Sequence, residues 1–427
     1  MRNFVECLIF ERIFTVMKIT QKSIIKLIVS LMIVVSLVLS MSSCGFDFSI
    51  EDIIDQIQNG NEGEGNGGNN IGGGNTNPDT NPDFYPNSGS ASLENVSAEN
   101  RTLLSTVSII ANFGDTPAAG SGVIYQLDKE NGNAYIVTNY HVVYYDGLFT
   151  SCELYLYGME NIQYAIPATF VGGSVSNDIA VLKVTGSEVL KNSYAIAAPF
   201  ADSEKVRVFD TAIAVGNPEG FGMSATTGIV SVESEQLDIE GADGDMIQLR
   251  VMRTDAAINL GNSGGGLYNE NGEIIGIVCA KRIGEDVDNF GYAIPSNLAK
   301  NLVNNIIDNC NGSSATKAKR VLIGITIAPS VQGVIVNPET GEISQGHITA
   351  IDKISDTCII ADKIAEGDVI NSVTIKGVKT VIQRFYQVPD TMLNARLGDT
   401  VIINVTRGNQ TFDVSFTVTE AMFSNID

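Results

Sequence analysis

The chain is poor in positive charge, in histidine and in cysteine, and each shortage narrows its possible functions. Its 427 residues include 26 Lys and Arg against 49 Asp and Glu, which gives a formal net charge of −23. This charge opposes binding to nucleic acid and favours solubility. The two histidines and six cysteines match no metal-binding spacing and no dense disulfide framework. The sequence therefore predicts no metal and no other cofactor.

One short segment surrounds a hydroxyl with residues that have almost no side chain. Residues 261–266 read Gly-Asn-Ser-Gly-Gly-Gly. Glycines let backbone N–H groups point into a common space, where they can hold a negatively charged oxygen. The pattern suits a nucleophilic serine, Ser263. A Gly-rich turn between two strands is the alternative interpretation, because short Gly motifs are weak evidence alone.

A nucleophilic serine needs a base, and the two histidines differ in their surroundings. His141 follows the apolar run 134–140, which predicts a buried strand and hence a rigid support for an imidazole. His347 lies in a segment of different character, and we interpret it as a structural or solvent-facing residue. His141 is therefore the predicted base.

The imidazole in turn needs a carboxylate that fixes its tautomer and stabilises its cation. Asp178 directly precedes the apolar run 179–184, at the mouth of a predicted core strand where it can be partly buried. Asp146, Asp202 and Asp210 compete on spacing alone. The position of Asp178 before an apolar strand favours it over these competitors. The chain order His, Asp, Ser also matches one known arrangement of a nucleophilic serine with its base and carboxylate.

Several segments in order resemble the HtrA/DegP family of trypsin-like serine proteases, from about residue 100 to residue 420. They are Thr-Asn-Tyr-His-Val-Val at 138–143, Asn-Asp-Ile-Ala-Val-Leu-Lys at 177–183, Ala-Val-Gly-Asn-Pro at 214–218, the run 254–267 around the serine, and Gly-Tyr-Ala-Ile-Pro-Ser at 291–296. The resemblance implies a mostly β chain with a two-barrel, chymotrypsin-like protease domain and an active site between the barrels.

The resemblance also assigns roles to the candidate residues. His141 would be the general base, Asp178 the acid that orients it, and Ser263 the nucleophile. The amides of Gly261 and Ser263, with Asn262 between them, would form the oxyanion hole. These assignments predict peptide hydrolysis through an acyl-enzyme.

Residues around the serine bear on activation and specificity. Because Asn262 is neutral, we do not expect activation through an ion pair with a newly cut N-terminus. The Gly-bearing loops 217–223 and 281–289 are instead candidates for a switch by loop ordering. The resemblance places Ile258 in the substrate pocket, which predicts a preference for small or medium apolar side chains. Lys281 either lines that pocket or points to solvent.

A smaller unit follows the protease domain, after a predicted helix that begins at Ser296 and a polar linker at 311–317. Residues 318–422 resemble the PDZ domain that follows HtrA proteases. One loop would offer amides to the carboxylate of a peptide C-terminus, beside a strand edge that accepts the extended peptide. The predicted loop consists of Leu322, Ile323, Gly324 and Ile325. An all-β domain that only packs on the protease is the alternative.

Residues 1–43 have the order of an export signal, with basic residues, the apolar run 27–39 and then small residues. Met-Ser-Ser-Cys at 41–44 resembles a bacterial lipoprotein processing site, so we expect cleavage before Cys44 and lipidation of its thiol. An uncleaved signal anchor is the alternative, although the apolar run is short for a membrane span. Met17 is a more natural start than Met1.

The composition of residues 44–100 predicts a tether. They include ten acidic residues and no basic one, and Gly, Asn, Pro and Asp dominate 59–90. Such a composition cannot bury a core, so we expect a disordered, extended segment that holds the protease away from the membrane. The predicted layout is a signal peptide at 1–43, this tether, the protease domain at 101–312 and the PDZ-like unit at 318–422.

Two functional classes fit this layout. One is an active, lipid-anchored endopeptidase that degrades misfolded or exported proteins outside the cytoplasm. The other is a PDZ-dominated, chaperone-like binding protein with little proteolytic activity. The complete set of His141, Asp178 and Ser263 favours the first, because a pure binding protein would not need all three. The family resemblance further implies a homo-oligomer, often a trimer.

Overall fold

A computed structural model describes residues 96–426, except 114–115, 146–147, 150, 219–221, 280–289, 310–315, 337, 340 and 342. The predicted signal peptide, the lipidation of Cys44 and nearly all of the predicted tether lie outside the described residues. Within those residues, no helix is long and apolar enough to cross a membrane.

The first part of the described chain forms a closed β-sheet. Its strands are β1 (Thr106–Phe113), β2 (Thr116–Asp128), β3 (Asn133–Thr138), β6 (Ser151–Leu156), β7 (Ile166–Ser174) and β8 (Ile179–Val184). Between β3 and β6, the short strands β4 (Tyr144–Tyr145) and β5 (Leu148–Phe149) pair with each other in a separate two-stranded sheet. The sheet runs β7-β6-β1-β2-β3-β8, and β8 pairs again with β7 to complete the barrel. Ile109, Ile136, Leu154 and Leu182 are fully buried inside it, so closure removes a large apolar face from water.

Three helices accompany this barrel: α1 (Ala98–Ser105), α2 (Tyr140–Val143) and α3 (Glu188–Asn192). Short 3-10 turns span Ile162–Tyr164 and Ser203–Lys205. The single turn of α2 directly follows β3, so β3 sets the position of His141.

A second barrel follows the first. Its strands are β9 (Thr211–Gly216), β10 (Ser224–Glu240), β11 (Met246–Thr254), β12 (Gly266–Tyr268), β13 (Ile274–Val278) and β14 (Gly291–Pro295), paired in the closed order β10-β11-β14-β13-β12-β9. The predicted helix is α4 (Ser296–Asn309), which buries Leu302 and Ile306 in the same apolar cluster as Leu249 and Ile294. The prediction of a mostly β, two-barrel protease fold is confirmed.

The remaining elements, residues 316–425, make up the third unit, which includes a separate sheet with one short helix. They are β15 (Thr316–Lys317), β16 (Lys319–Val321), β17 (Ile325–Val336), β18 (Ile343–Ile354), β19 (Val369–Ile375), β20 (Val378–Val381), α5 (Gln387–Met392), β21 (Thr400–Arg407), β22 (Gln410–Thr417), a 3-10 turn (Glu420–Met422) and β23 (Phe423–Asn425). The sheet order is β17-β18-β19-β21-β22, with β20 paired to β19. Within the described part of the chain, β18 is the only strand paired with β17, so β17 is an edge strand.

The described residues 316–318, the first of the third unit, connect it to the barrels. β15 pairs in parallel with β7 of the first barrel, and Ala318 is fully buried in the cluster that also fills the second barrel. β16 pairs with β23, so the third unit extends past residue 422. Apolar burial at Ala318 fixes the end of this segment despite the polar residues before it.

Candidate active site

His141 and Asp178 are in hydrogen-bond contact where β3 ends and β8 begins. The Nδ1 atom of His141 lies 2.8 Å from Asp178 Oδ2, and the backbone amide of His141 donates to Asp178 Oδ1 at 3.1 Å. The imidazole side chain is 24% exposed, whereas the carboxylate is 1% exposed. A buried carboxylate in this position favours the tautomer with a proton on Nδ1, which leaves Nε2 as an acceptor.

Asp178 is held on several sides. Its φ angle of +49° lies in the left-handed region. Its carbonyl oxygen accepts from the amide of Tyr140 at 3.2 Å and from Nδ2 of Asn139 at 3.0 Å. The thiol of Cys279, which follows β13, donates to Asp178 Oδ2 at 3.4 Å. The carboxylate is thus oriented by contacts from the first barrel and from the second.

The turn that carries Ser263 is tied to the first barrel through Ser121 of β2. The amide of Ser121 donates to the carbonyl oxygen of Ser263 at 2.8 Å, and its Oγ donates to the carbonyl of Gly261 at 2.7 Å. The same Oγ accepts from the amide of Asn217 at 2.8 Å. Ser121 therefore joins the serine turn to the end of β9.

Gly264 allows the serine turn to lie directly against the end of β3. A Cβ atom at this position would be 2.2 Å from the carbonyl oxygen of Ser121 and 2.2 Å from Oγ1 of Thr138. The φ angle of Gly264 is +83°, and its amide donates to the carbonyl of Val278 at 2.9 Å. Close approach to Thr138 brings Ser263 to the strand end that also supports His141.

Gly264→Ala should destabilise the protein by about 1–3 kcal/mol more than Gly186→Ala, because only the first substitution adds overpacking. Gly186 also has a positive φ, +67°, but a Cβ there would meet nothing within 4 Å. The matched pair therefore separates the steric clash from the backbone strain. Denaturant unfolding of both variants measures the difference, and equal losses would contradict the close packing of the serine turn.

One backbone amide near the predicted oxyanion hole already donates a hydrogen bond within the protein. The amide of Asn262 donates to the carbonyl of Asn259 at 3.1 Å. The predicted donors, the amides of Gly261 and Ser263, lie on either side of it, and Gly261 has a φ angle of +95°. The Asn262 side chain is buried, and in the described part of the structure its Oδ1 atom has no hydrogen-bond partner.

The predicted pocket residue Ile258 packs against the start of β14. A Cβ atom on Gly291 would be 2.5 Å from Ile258 Cδ1, so the absence of a side chain at Gly291 makes room for Ile258. Phe290 is partly exposed, and the guanidinium of Arg253 lies 4.7 Å from its ring centre. Lys281 lies outside the described residues, as does the whole of its predicted loop, 281–289.

The predicted peptide loop lies between β16 and β17. Leu322 is exposed, Ile323 is buried, and Ile325 is the first residue of β17. Gly324 has a φ angle of +80°, and its carbonyl accepts from the amide of Ser355 at 2.9 Å. The loop thus leads directly into the edge strand β17, and its Leu322 amide already donates to the carbonyl of Met422 at 2.8 Å.

Buried charges join the third unit to the barrels. Arg250 of β11 donates to Asp390 of α5, and Arg384 donates to Glu233 of β10. Glu204 accepts from Nε2 of Gln387 at 2.8 Å. Burial raises the pKa of Asp390 and of Glu204, and the nearby Arg250 opposes both shifts.

The other His and Cys side chains that the structure describes form no metal site within those ranges. Across the described ranges, no group of three His, Cys, Asp or Glu side chains is placed to hold a metal ion. His347 of β18 is partly buried; burial and, secondarily, Arg384 lower its pKa, whereas Glu233 opposes the shift. Among the described residues, no disulfide joins Cys152, Cys279 and Cys358 to one another. Burial raises the pKa of the Cys152 thiol to about 12.

Sequence reasoning missed three residues that support this site: Ser121, Asn139 and Cys279. Ser121 lies within a strand without a distinctive motif. Cys279 follows an apolar strand, so its position indicated a core residue. Asn139 was part of a recognised motif, yet nothing local to it indicated a contact with a residue 39 positions away.

Comparisons with known proteins show which family and which relatives the chain is similar to. Residues 120–277 match the trypsin-like peptidase domain family. The chain is 41% identical over 194 residues to the serine protease Do-like HtrA of Lactococcus lactis subsp. cremoris (strain MG1363). This alignment covers 44% of each chain. It is 31% identical over 314 residues to the serine protease Do-like HtrA of Lactobacillus helveticus, covering 70% of this chain and 68% of the relative.

Coverage differs among the relatives. The chain spans 44%, 61% and 48% of the length of three of the curated relatives that it matches. A solved structure described as "HtrA-type protease AlgW with tripeptide" aligns with a TM-score of 0.49 at 24% identity, over 75% of this chain and 95% of that chain.

Proposed function

This chain belongs to the HtrA family of trypsin-like serine proteases, and from that premise we propose that it is an extracytoplasmic serine endopeptidase. Its substrates would be misfolded or exported proteins. The observation that carries the proposal is the His141–Asp178 contact of 2.8 Å, with a buried carboxylate and a partly exposed imidazole. The glycine-flanked Ser263, packed against the same strand end, supplies the nucleophile.

In the proposed mechanism, Ser263 Oγ attacks the peptide carbonyl while His141 Nε2 accepts its proton. Asp178 keeps the imidazole oriented and stabilises its cation. The amides of Gly261 and Ser263 hold the tetrahedral oxyanion. His141 then returns the proton to the leaving amine, and an acyl-enzyme forms; water attacks this ester in the reverse sequence of proton transfers.

We propose that the substrate pocket accepts apolar side chains. Ile258 presents an aliphatic surface, and it packs closely on the bare backbone of Gly291. An aliphatic wall favours apolar over charged groups because a charge would lose its hydration there. Lys281 remains a second candidate for this pocket.

The third unit is proposed to bind peptide C-termini in the manner of a PDZ domain. Its support is the loop of Leu322, Ile323, Gly324 and Ile325, followed by the edge strand β17. Free backbone groups along an edge strand pair with an extended peptide. This surface also supports the second candidate function, a chaperone-like binding protein with little proteolysis.

We propose a homo-oligomer, a trimer by family resemblance. We also propose export, cleavage before Cys44, lipidation of its thiol and attachment to the cell membrane. Their support is the sequence of residues 1–44 and the acidic tether that follows. Mass spectrometry of Cys44 in the natural host tests the anchor, and an unmodified thiol contradicts it.

The full chain and its Ser263→Ala variant test the proposed activity with two probes. An unfolded protein should be cleaved only by the wild type. A fluorophosphonate should bond to Ser263 Oγ with loss of fluoride, and mass spectrometry should locate the adduct on that residue. No cleavage and no adduct, combined with equal suppression of aggregation by both chains, would favour the binding function instead.

A further inference from the structure

Asn139 occupies the position before the first residue of α2, where an Asn side chain ordinarily caps the helix by accepting from a backbone amide. Here the side chain makes no capping hydrogen bond. It is fully buried, and its Nδ2 atom instead donates to the carbonyl oxygen of Asp178 at 3.0 Å. The opposite amide orientation would place two oxygen atoms against each other, so the donor must face Asp178.

This arrangement lowers stability locally. Oδ1 of Asn139 is buried, and among the described residues it has no hydrogen-bond partner. A buried polar atom without a partner costs about 1–3 kcal/mol, and the unused capping interaction forgoes about 1 kcal/mol. A residue that served only the fold would not be expected to combine both penalties.

The contact restrains a strained residue of the site. Asp178 has a φ angle of +49°, which is uncommon for a residue with a Cβ. The backbone conformation sets the direction of the side chain, and in this direction both carboxylate oxygens meet donors of His141, at 2.8 and 3.1 Å. Two hydrogen bonds to the Asp178 carbonyl, from Asn139 Nδ2 and from the amide of Tyr140, hold that conformation.

We infer that Asn139 is a positioning residue, which orients the His141–Asp178 pair by holding the backbone of Asp178. The inference rests on the proposed function for its kinetic consequence, whereas the geometry of the pair can be measured independently of catalysis. Loss of the Nδ2 donor lets Asp178 relax towards negative φ and moves its carboxylate away from the imidazole. A displacement of about 1 Å at a catalytic group lowers the rate by about 100-fold.

Two variants of the full chain test the inference: Asn139→Ala, which removes the donor, and Asn139→Asp, which keeps the size of the side chain. We expect kcat to fall about 10- to 100-fold in both, with KM little changed because the substrate does not touch this buried residue. The rate of fluorophosphonate labelling at Ser263 should fall by a similar factor. Thermal unfolding should show a folded protein.

Asn177→Ala is the matched control. Asn177 precedes Asp178, but its side chain donates to the hydroxyls of Ser174 and Ser176, at 3.0 and 3.2 Å. This variant removes a side-chain amide of the same kind, next to Asp178 in sequence, without removing a hydrogen bond to Asp178. Its kcat should stay close to that of the wild type.

A spectroscopic measurement separates the inference from the proposed function. The chain has two histidines, so NMR of the full chain with isotope-labelled histidine resolves His141 once His347→Gln assigns the other. The Nδ1 proton should resonate far downfield in the wild type and in Asn177→Ala, and should lose that shift in Asn139→Ala.

Each outcome decides the inference. An unchanged resonance and kcat in both Asn139 variants overturn it, and so does failure of both to fold, because the residue would then be needed for the fold itself. A wild type with the resonance but no labelling at Ser263 contradicts the proposed function alone. If only Asn139→Ala fails to fold, the kcat and the Nδ1 proton resonance of Asn139→Asp decide whether the inference holds.

Discussion

Asp178→Asn is expected to lower kcat by about 10⁴-fold, and the hydrogen bonds of this site explain why the neutral side chain would fail. The backbone amide of His141 donates to Asp178 Oδ1 at 3.1 Å. Because a backbone amide is always a donor, an Asn must turn its carbonyl oxygen towards it. Its NH₂ group then faces Nδ1 of His141, which must lose its proton to accept that hydrogen bond. The proton moves to Nε2, which can no longer accept from Ser263.

Asp210→Asn is the control for this prediction. Asp210 also competes for the catalytic role on sequence spacing, but it accepts from the amide of Arg207 at 2.7 Å in a surface turn. Its kcat should remain close to that of the wild type. Steady-state cleavage of a peptide substrate measures both variants, and an Asp178→Asn chain within tenfold of the wild type would show that His141 needs no carboxylate.

The sequence was informative where a residue's role depends on its local surroundings. His141 and Asp178 each border an apolar strand, and a strand end is a rigid place for a side chain. That reasoning selected two residues separated by 37 positions, and they lie in contact. The two-barrel fold was implied by the family resemblance, which rests on several motifs that occur in the family's order.

Contacts that depend on barrel closure left no local signal. Cys279 is 101 positions from Asp178, and its apolar neighbours are equally typical of a core residue. Arg250 is 140 positions from Asp390. The positive φ of Asp178 is likewise invisible in sequence, because aspartate seldom requires it. Such features arise when distant segments pack, and only the folded chain defines which side chains then meet.

The other large expected effect concerns the contact between the barrels and the third unit. Arg250→Ala should lower the free energy of unfolding by about 3–5 kcal/mol, because it leaves a buried charge without its partner. The side chains of Arg250 and Asp390 are 8% and 16% exposed. The Arg250 guanidinium also lies 4.0 Å from the centre of the Tyr386 ring. Denaturant unfolding of the full chain at neutral pH measures the loss.

The loss should shrink in mild acid, because protonation removes the Asp390 charge that Arg250 no longer neutralises. Burial raises the folded-state pKa of Asp390 above its ordinary value of 3.8. The folded chain therefore binds this proton more tightly than the unfolded chain does. The stabilisation that comes from this tighter proton binding is fully present at pH values below the ordinary pKa of Asp390. It is lost as the pH rises through the folded-state pKa.

A second ion pair between the same two parts of the chain provides the control. Arg396 contacts Asp308 at 2.7 Å, but the Asp308 side chain is 56% exposed. Because water screens this pair, Asp308→Ala should lower stability by only about 0–1 kcal/mol. Equal losses in Arg250→Ala and Asp308→Ala would mean that burial does not strengthen the contact through Asp390. A large loss confined to Arg250→Ala would instead show that burial strengthens the contact between Arg250 and Asp390.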